Sequence, residues 1–140
     1  MTDRIRSLAD LDHLAGRHVL TLFSGGLDSS FVLRELARRG CRTTALAVDV
    51  GDGIHRDDLQ NIASHFGAAL EVVDAREEFI ENGVVPAIRA QAKYLGIYPL
   101  SSSLTRPIMA AAAIRIARDL GCEAILHTAN QSQNSLRRLN

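Results

Sequence analysis

Apolar positions recur along the chain in two rhythms. Near the start, Ile5, Leu8, Leu11 and Leu14 return every third position, which predicts a short amphipathic helix over 4–15. HVLTLF (18–23) is a compact apolar run, rich in strand formers and closed by a glycine pair. SSFVLRELARRG then sets Phe31, Val32, Leu36 and Ala37 on one helical face and stops at Gly40. CRTTALAVDV (41–50) predicts a second strand, broken by GDG at 51–53. HRDDLQNIASHFG predicts a helix ending at Gly67, and ALEVVDA (69–75) a third strand. EEFIENGVVPAIRAQAKYLG reads as helical at both ends, with Gly83 and Pro86 disrupting its middle. IYPLSSSLTRP (97–107) predicts a polar loop, IMAAAAIRIARDLG an alanine-rich helix, and CEAILHTA (122–129) a fourth strand before a polar tail.

Strands that alternate with helices imply βαβ units, hence an α/β fold with a parallel sheet and helices on both faces. Ligands of such sheets bind beyond the carboxyl ends of the strands. The polar stretches 24–30, 49–53 and 128–135 should therefore meet on one edge. LARRG-CRTTALAV and ARDLG-CEAILHT repeat one layout: helix, glycine, cysteine, buried strand. That places Cys41 and Cys122 at the first step into a core strand, as packed, reduced thiols.

With 140 residues, 46% of them hydrophobic, the chain suits one globular core, a single domain over 1–140 with residues 1–17 as an extension. Basic and acidic residues balance at 16 each, so a general nucleic-acid or anionic-membrane binder is disfavoured. No apolar run approaches the roughly 20 residues of a membrane span, and MTDRIRSLADLDHLAGRH lacks the apolar centre of a signal peptide. A cytoplasmic location is the expectation. The five histidines show no HxxxH or HExxH spacing, which argues against a zinc site built from them.

The chemistry concentrates in FSGGLDSS (23–30). A glycine-rich turn from strand to helix presents backbone N–H groups, and the helix N-terminus adds positive partial charge. Gly25 and Gly26 permit close backbone approach, while Ser24, Ser29 and Ser30 add hydroxyl donors. The result is a cradle for phosphate or pyrophosphate. Asp28 would repel a phosphate, so it either caps the helix or meets a Mg²⁺ bridging to the phosphates. The only lysine is Lys93, so this is no Walker loop, and neither GxGxxG nor GxSxG occurs here. Asp49, Asp52, Asp57 and Asp58 suit a solvated helix start better than a metal site. His127 ends a strand, where a structural role outweighs that of a base. Ser101–Ser103 would start the next helix, with Ser103 or Thr105 as cap and Pro107 in its first turn.

SGGLDSS resembles the SGGxD[ST] pyrophosphate-binding loop of the N-type ATP pyrophosphatases, which split ATP into AMP and pyrophosphate while adenylating a carbonyl-type oxygen. VVDAREEFIENGVVPAIRAQAKYLGIYPLSSSLTRPIMA (72–110) is similar to argininosuccinate synthase, with its VVDxREEF and PAIxAxAxYxGxYPLxTSLxRP blocks. The similarity runs from about residue 18 to 140. It implies an adenine nucleotide alpha hydrolase-like, Rossmann-type fold. By position it implies that Ser24, Gly25, Gly26, Asp28, Ser29 and Ser30 hold the ATP phosphates. Asp28 and Ser29 would be catalytic, with Asp28 reaching Mg²⁺. Ala47 would lie against adenine. Tyr98, Ser102, Ser103 and Arg138 would hold a citrulline-like acceptor. Asn134 stays in register, while Asn130 and Ser135 replace the Thr and Asp that bind aspartate, and Thr128, Gln131 and Gln133 replace glycines.

The implied activity is that of an AMP-forming C–N ligase. A ureido or carbonyl oxygen is adenylated by Mg-ATP, pyrophosphate leaves, and an amine such as aspartate displaces AMP. Members of the family continue into a larger second domain. The expectation is therefore half of a split enzyme, a piece ending at the domain boundary, or a stand-alone relative, with a partner chain or homo-oligomer supplying the rest. The altered 128–135 stretch keeps open a related ligase using another amine, in secondary metabolism or RNA modification. A non-catalytic ATP-binding subunit is the remaining alternative.

Overall fold

The computed structural model of the protein describes residue 5 and residues 7–94, 96–99 and 101–129. The elements run β1 (His18–Leu22), α1 (Leu27–Arg38), β2 (Arg42–Asp49), α2 (Arg56–His65), β3 (Ala69–Asp74), α3 (Arg76–Phe79), α4 (Val85–Arg89), β4 (Lys93–Tyr94), β5 (Tyr98–Pro99), α5 (Ser101–Asp119) and β6 (Ala124–Leu126). Strands β3, β2, β1 and β6, in that order, form a parallel sheet, so β1 is central and both neighbours reach it through helical crossovers. The α/β class, with its parallel sheet, is as the alternation of patterns implies.

Side-chain alternation along β2 sorts the core into two layers. Leu46 and Val48, with Leu20 and Leu22 of β1, face α5 through Ile108, Ala112, Ala113 and Ala117. Ala45 and Ala47 point the other way, toward Leu33 of α1 and Leu59 and Ala63 of α2. Helices thus cover both faces. Small alanines on α5 let it lie close to the sheet, while small alanines on β2 do the same for α1 and α2.

Three segments differ from the pattern reading, each for a physical reason. The N-terminal helix is a 3-10 helix, Leu8–Leu14. A three-residue apolar spacing is its own period, and Leu11 and Leu14 pack on Val19 and Leu36. The helix expected to break near Gly83 instead widens into a π-helical turn, Ile80–Val84, between α3 and α4. Pro86 offers no N–H for an ordinary helical bond. Gly83 is packed so closely that an added Cβ would lie 3.0 Å from Phe79 Cδ2. After α4 the chain forms the small antiparallel β4–β5 pair in place of further helix.

The polar loop predicted over 97–107 is also a correction. Helix α5 begins at Ser101 and carries Pro107 in its interior. Ile108 is buried and Leu104 abuts Gly83. Packing on both sides of Pro107 thus outweighs the single backbone bond that the proline removes.

Opposite the carboxyl ends of the strands, polar groups serve the fold. His18 Nε2 lies 3.0 Å from Thr44 Oγ1 and 3.5 Å from Cys122 Sγ. The Glu123 carboxylate accepts the His18 backbone N–H at 3.0 Å. Burial pushes the Cys122 thiol up, which keeps it protonated. Cys41 donates to the Leu14 carbonyl at 3.1 Å. Both cysteines are free and sit at strand entrances, as the repeated layout implies.

Glu35 on α1 has a side chain only 5% exposed and pairs with Arg39 at 2.9 Å and Arg34 at 3.0 Å. Arg39 also reaches Asp12 at 2.8 Å and the Leu8 carbonyl at 2.7 Å, tying the 3-10 helix to α1. The guanidinium of Arg39, then that of Arg34, holds the Glu35 carboxyl below its ordinary value of 4.5. The unfolded chain therefore takes up this proton more readily than the folded one. Its stabilising contribution is complete above pH 4.5 and is lost as pH falls through and below that value. Glu35→Gln should be less stable at neutral pH and lose less on acidification, so its melting temperatures should converge with wild type in acid. Parallel melting curves across that range would show that Glu35 contributes nothing of this kind.

Candidate nucleotide site

The loop after β1 starts where strand pairing ends. Phe23 N–H still donates to the Leu46 carbonyl at 2.8 Å, and from Ser24 the chain turns off the sheet. Gly25 makes that turn with φ +75°, in the left-handed region. A Cβ at Gly25 would sit 2.7 Å from Leu59 Cδ2, so a side chain there would force that methyl of α2 to shift. Gly26 differs. It is the N-cap of α1 with φ −74°, and the nearest atom to an added Cβ is Ser24 Oγ at 3.4 Å. Nothing in the fold requires glycine at 26, which leaves open backbone at the head of α1.

The serines are already oriented toward one another. Ser29 is buried and its Oγ donates to the Gly26 carbonyl at 3.0 Å. Ser24 Oγ lies 3.4 Å from both Ser29 Oγ and the Gly26 N–H. Ser30 N–H donates to the Gly26 carbonyl at 3.0 Å, closing the first turn of α1. Asp28 stands in that turn with an exposed side chain, which makes no ion pair among the described residues.

Beside this loop lies a cleft of about 320 Å³, near the lower end for small-molecule sites. Ser24 and Gly25 of the turn and Phe23, Ala47 and Val48 at the strand ends line it. Ile54, Leu59 and Ile62 make an apolar wall, Met109 of α5 closes the far side, and Asp52, His55 and Asp58 stand at the mouth. Ala47 is small enough to leave room over the strand end. A mainly apolar cleft thus opens beside the glycine-rich turn at the head of α1.

Of the predicted nucleotide-binding residues, Ser24, Gly25 and Ala47 line the cleft, while Gly26, Asp28, Ser29 and Ser30 follow in the loop and the first turn of α1. Ser103 lies near the start of α5, the helix that carries Met109. Tyr98 is on β5 and Ser102 in the first turn of α5, but their side chains are outside the described set. Asn130, Asn134, Ser135 and Arg138 lie outside the described residues, as do Gln131 and Gln133. Asp57 and Asp58 occupy the first turn of α2, and Asp49 accepts the Gly51 N–H at 2.8 Å, so these carboxylates sit where helix and turn geometry favours them. At the end of β6, His127 Nδ1 accepts the Ala129 N–H at 3.2 Å. Arg76 pairs with Asp74 at 2.6 Å and lowers that carboxyl to about 2.

Sequence reasoning missed the hydrophobic wall and the far side. Ile54, Leu59, Ile62 and Met109 look like ordinary core in any periodicity count. A sign was available in the β2 strand, where Ala47 stands among larger neighbours. No helix among the described residues is long and apolar enough to cross a membrane.

The arginosuccinate synthase N-terminal HUP domain family matches residues 18–139. The chain is 41% identical over 115 residues to argininosuccinate synthase from Rubrobacter xylanophilus, covering 81% of this chain and 28% of that protein. It is 40% identical over 120 residues to the Syntrophobacter fumaroxidans enzyme, covering 84% and 30%. The chain thus spans less than a third of the length of the curated relatives it matches. Among solved structures, a 4-thiouridine synthetase in complex with RNA and ATP superposes with a TM-score of 0.60 at 18% identity, over 80% of this chain and 29% of that one. An NH3-dependent NAD synthetase from Campylobacter jejuni gives 0.58 at 17% identity, over 89% and 52%. These likenesses establish a shared fold.

Proposed function

The chain belongs to the argininosuccinate synthase family, and on that premise we propose that it is the nucleotide-binding part of an ATP-dependent, AMP-forming C–N ligase. The observation that carries this reading is the continuity of loop and cleft. Ser24 and Gly25 belong to the anion-binding turn and also line the cleft together with Ala47 and Val48. Adenine would lie over Ala47, and the pyrophosphate end would meet the backbone N–H groups at 25–27 with the hydroxyls of Ser24, Ser29 and Ser30.

In the proposed reaction, a ureido or carbonyl oxygen of a citrulline-like acceptor forms a bond to the α-phosphorus. The bond from that phosphorus to the β-bridging oxygen breaks, and pyrophosphate leaves. An amine such as aspartate then attacks the activated carbon, and AMP departs with its oxygen. Catalysis is positioning and charge stabilisation, with no side-chain nucleophile. The Ser29 hydroxyl donates its one proton to the Gly26 carbonyl here, so it would have to turn that proton toward the phosphate to take part. The exposed carboxylate of Asp28 fits a cation better than a phosphate, and it is the residue that would hold Mg²⁺. When bound, that ion offsets negative charge on the phosphates. Tyr98, Ser102, Ser103, Asn130, Asn134, Ser135 and Arg138 would contact the acceptor and amine. The rest of the family's length, on a partner chain or a continuation of this one, would complete that side.

Titration with Mg-ATP should show saturable binding, and pyrophosphate should be released when citrulline and the remaining family length are supplied. Absence of both would sink the reading. Binding without release under every partner would mark a nucleotide-binding subunit instead.

A further inference from the structure

Among the described residues, one partly buried guanidinium has an inner N–H with no acceptor. Arg106 is partly buried on α5, and its Nε is buried with no hydrogen-bond partner among the described residues. Its Nη1 rests 3.7 Å from Met109 Sδ, a weak acceptor. Of the other described arginines, Arg17, Arg42, Arg56, Arg89 and Arg118 meet no carboxylate but are exposed to water, and the remaining five are paired. Arg34, Arg38, Arg39, Arg76 and Arg115 each meet a carboxylate within 4 Å. Among the described residues Arg106 meets none.

An arginine serving only as a surface charge would bury its stem and keep the whole fork in water. Here the inner N–H of the fork is shut away from solvent, an unfavourable arrangement unless an acceptor arrives. The position says where from. Met109, against which the fork rests, lines the nucleotide cleft. Ser103 lies one helical turn before Arg106, so 103, 106 and 109 follow one ridge of α5. The guanidinium therefore lies against a residue of the cleft wall, behind the cleft lining itself and toward the start of α5. Its planar, bidentate donor set matches a phosphate or a carboxylate and cannot lose its charge.

We infer that Arg106 receives an oxyanion of the reactants here, either the α-phosphate of ATP or a carboxylate of the acceptor. The inference rests on the ATP-binding reading above and adds a binding residue to it. On the nucleotide arm, Arg106 would stay with the phosphate that is attacked, while the turn at 24–30 takes the departing pyrophosphate. On the acceptor arm, it would fix the acceptor beside that phosphate.

Arg106→Met and Arg106→Lys separate the possibilities in the full chain. Methionine keeps the stem and removes the unsatisfied N–H, so the variant should melt no lower than wild type. On the nucleotide arm, Arg106→Met should weaken ATP and AMP by at least about tenfold. It should leave adenosine, which has no phosphate, unchanged, and lysine should restore part of the loss. On the acceptor arm, ATP, AMP and adenosine should bind as in wild type while citrulline binding weakens to the same degree. If both variants bind ATP, AMP and citrulline within about twofold of wild type, Arg106 is structural and the inference is overturned, with the ATP-binding reading intact. If wild type itself binds no ATP, that reading falls and takes the inference with it.

Discussion

Gly25→Ala should cost the protein about 2–5 kcal/mol of stability and remove measurable ATP binding. Two separate effects add up to that figure. A non-glycine residue at φ +75° is strained by about 1–2 kcal/mol. The new methyl would also stand 2.7 Å from Leu59 Cδ2, and overpacking of this kind typically costs about 1–3 kcal/mol. Leu59 is buried on α2, so relief would move the wall of the cleft as well as the turn. Gly26→Ala is the control. Its φ is ordinary and its Cβ would meet nothing closer than 3.4 Å, so the change in stability should stay within about 1 kcal/mol, the scale of an N-cap substitution. ATP affinity should nevertheless fall, because a methyl would occupy the approach to the head of α1. Denaturant unfolding and nucleotide titration of the two variants together give the test. If Gly26→Ala binds ATP as wild type does, phosphate does not approach at that backbone.

Asp28→Asn should change the sign of its effect with the ligand. The substitution keeps size and shape and removes one negative charge beside the anion-binding turn. Two unit charges about 4 Å apart in water interact by about 1 kcal/mol, roughly a fivefold change in affinity. Metal-free pyrophosphate should therefore bind the variant several-fold more tightly than wild type. Mg-ATP should bind it less tightly, and pyrophosphate release should fall by about a hundredfold or more, as when a single charge-stabilising group is removed. Asp28 also lies in the first turn of α1, where a carboxylate favours the helix by about 0.3–1 kcal/mol, so a slight loss of stability accompanies both effects. Equal weakening of both ligands would show that Asp28 acts only through the helix.

The order of elements and the position of the loop were legible because they depend on local chemistry. SGGLDSS announces its turn, and β1 and β2 read as near-continuous apolar runs because both faces of the sheet are covered. What escaped were features settled by tertiary contact. Pro107 and the serines before it carry loop signals, yet Leu104 and Ile108 pack well enough to pull the segment into α5. Gly83 and Pro86 both signal a break, and the helix answers with a wider turn instead. Every third residue in Ile5–Leu14 is a 3-10 signature that a helical template with 3.6-residue turns absorbs without distinction. For the site, the polar residues were readable from the loop. The apolar wall and Arg106 were not, because a leucine lining a cleft and a leucine in the core look alike in a sequence. For Arg106 the available hint was the arginine of the SLxRP block, which falls on this position.

The central place of β1 has a consequence for how the molecule comes into being. During synthesis, β1, α1, β2, α2 and β3 emerge in order, and each parallel pair on that flank joins neighbours in sequence. The other flank of β1 must wait for β6, whose Ala124 pairs with Val19 only after α5 has been made. Until then the backbone edge of a fully buried strand is open, and the face of Leu20 and Leu22 lacks the helix that covers it. Among the described strands, β6 is thus the one that seals the second edge of β1. A ribosome pausing between β3 and β6 would hold β1 with one adhesive side. Chaperone demand and aggregation during expression should be set by that interval rather than by the stability of the finished fold.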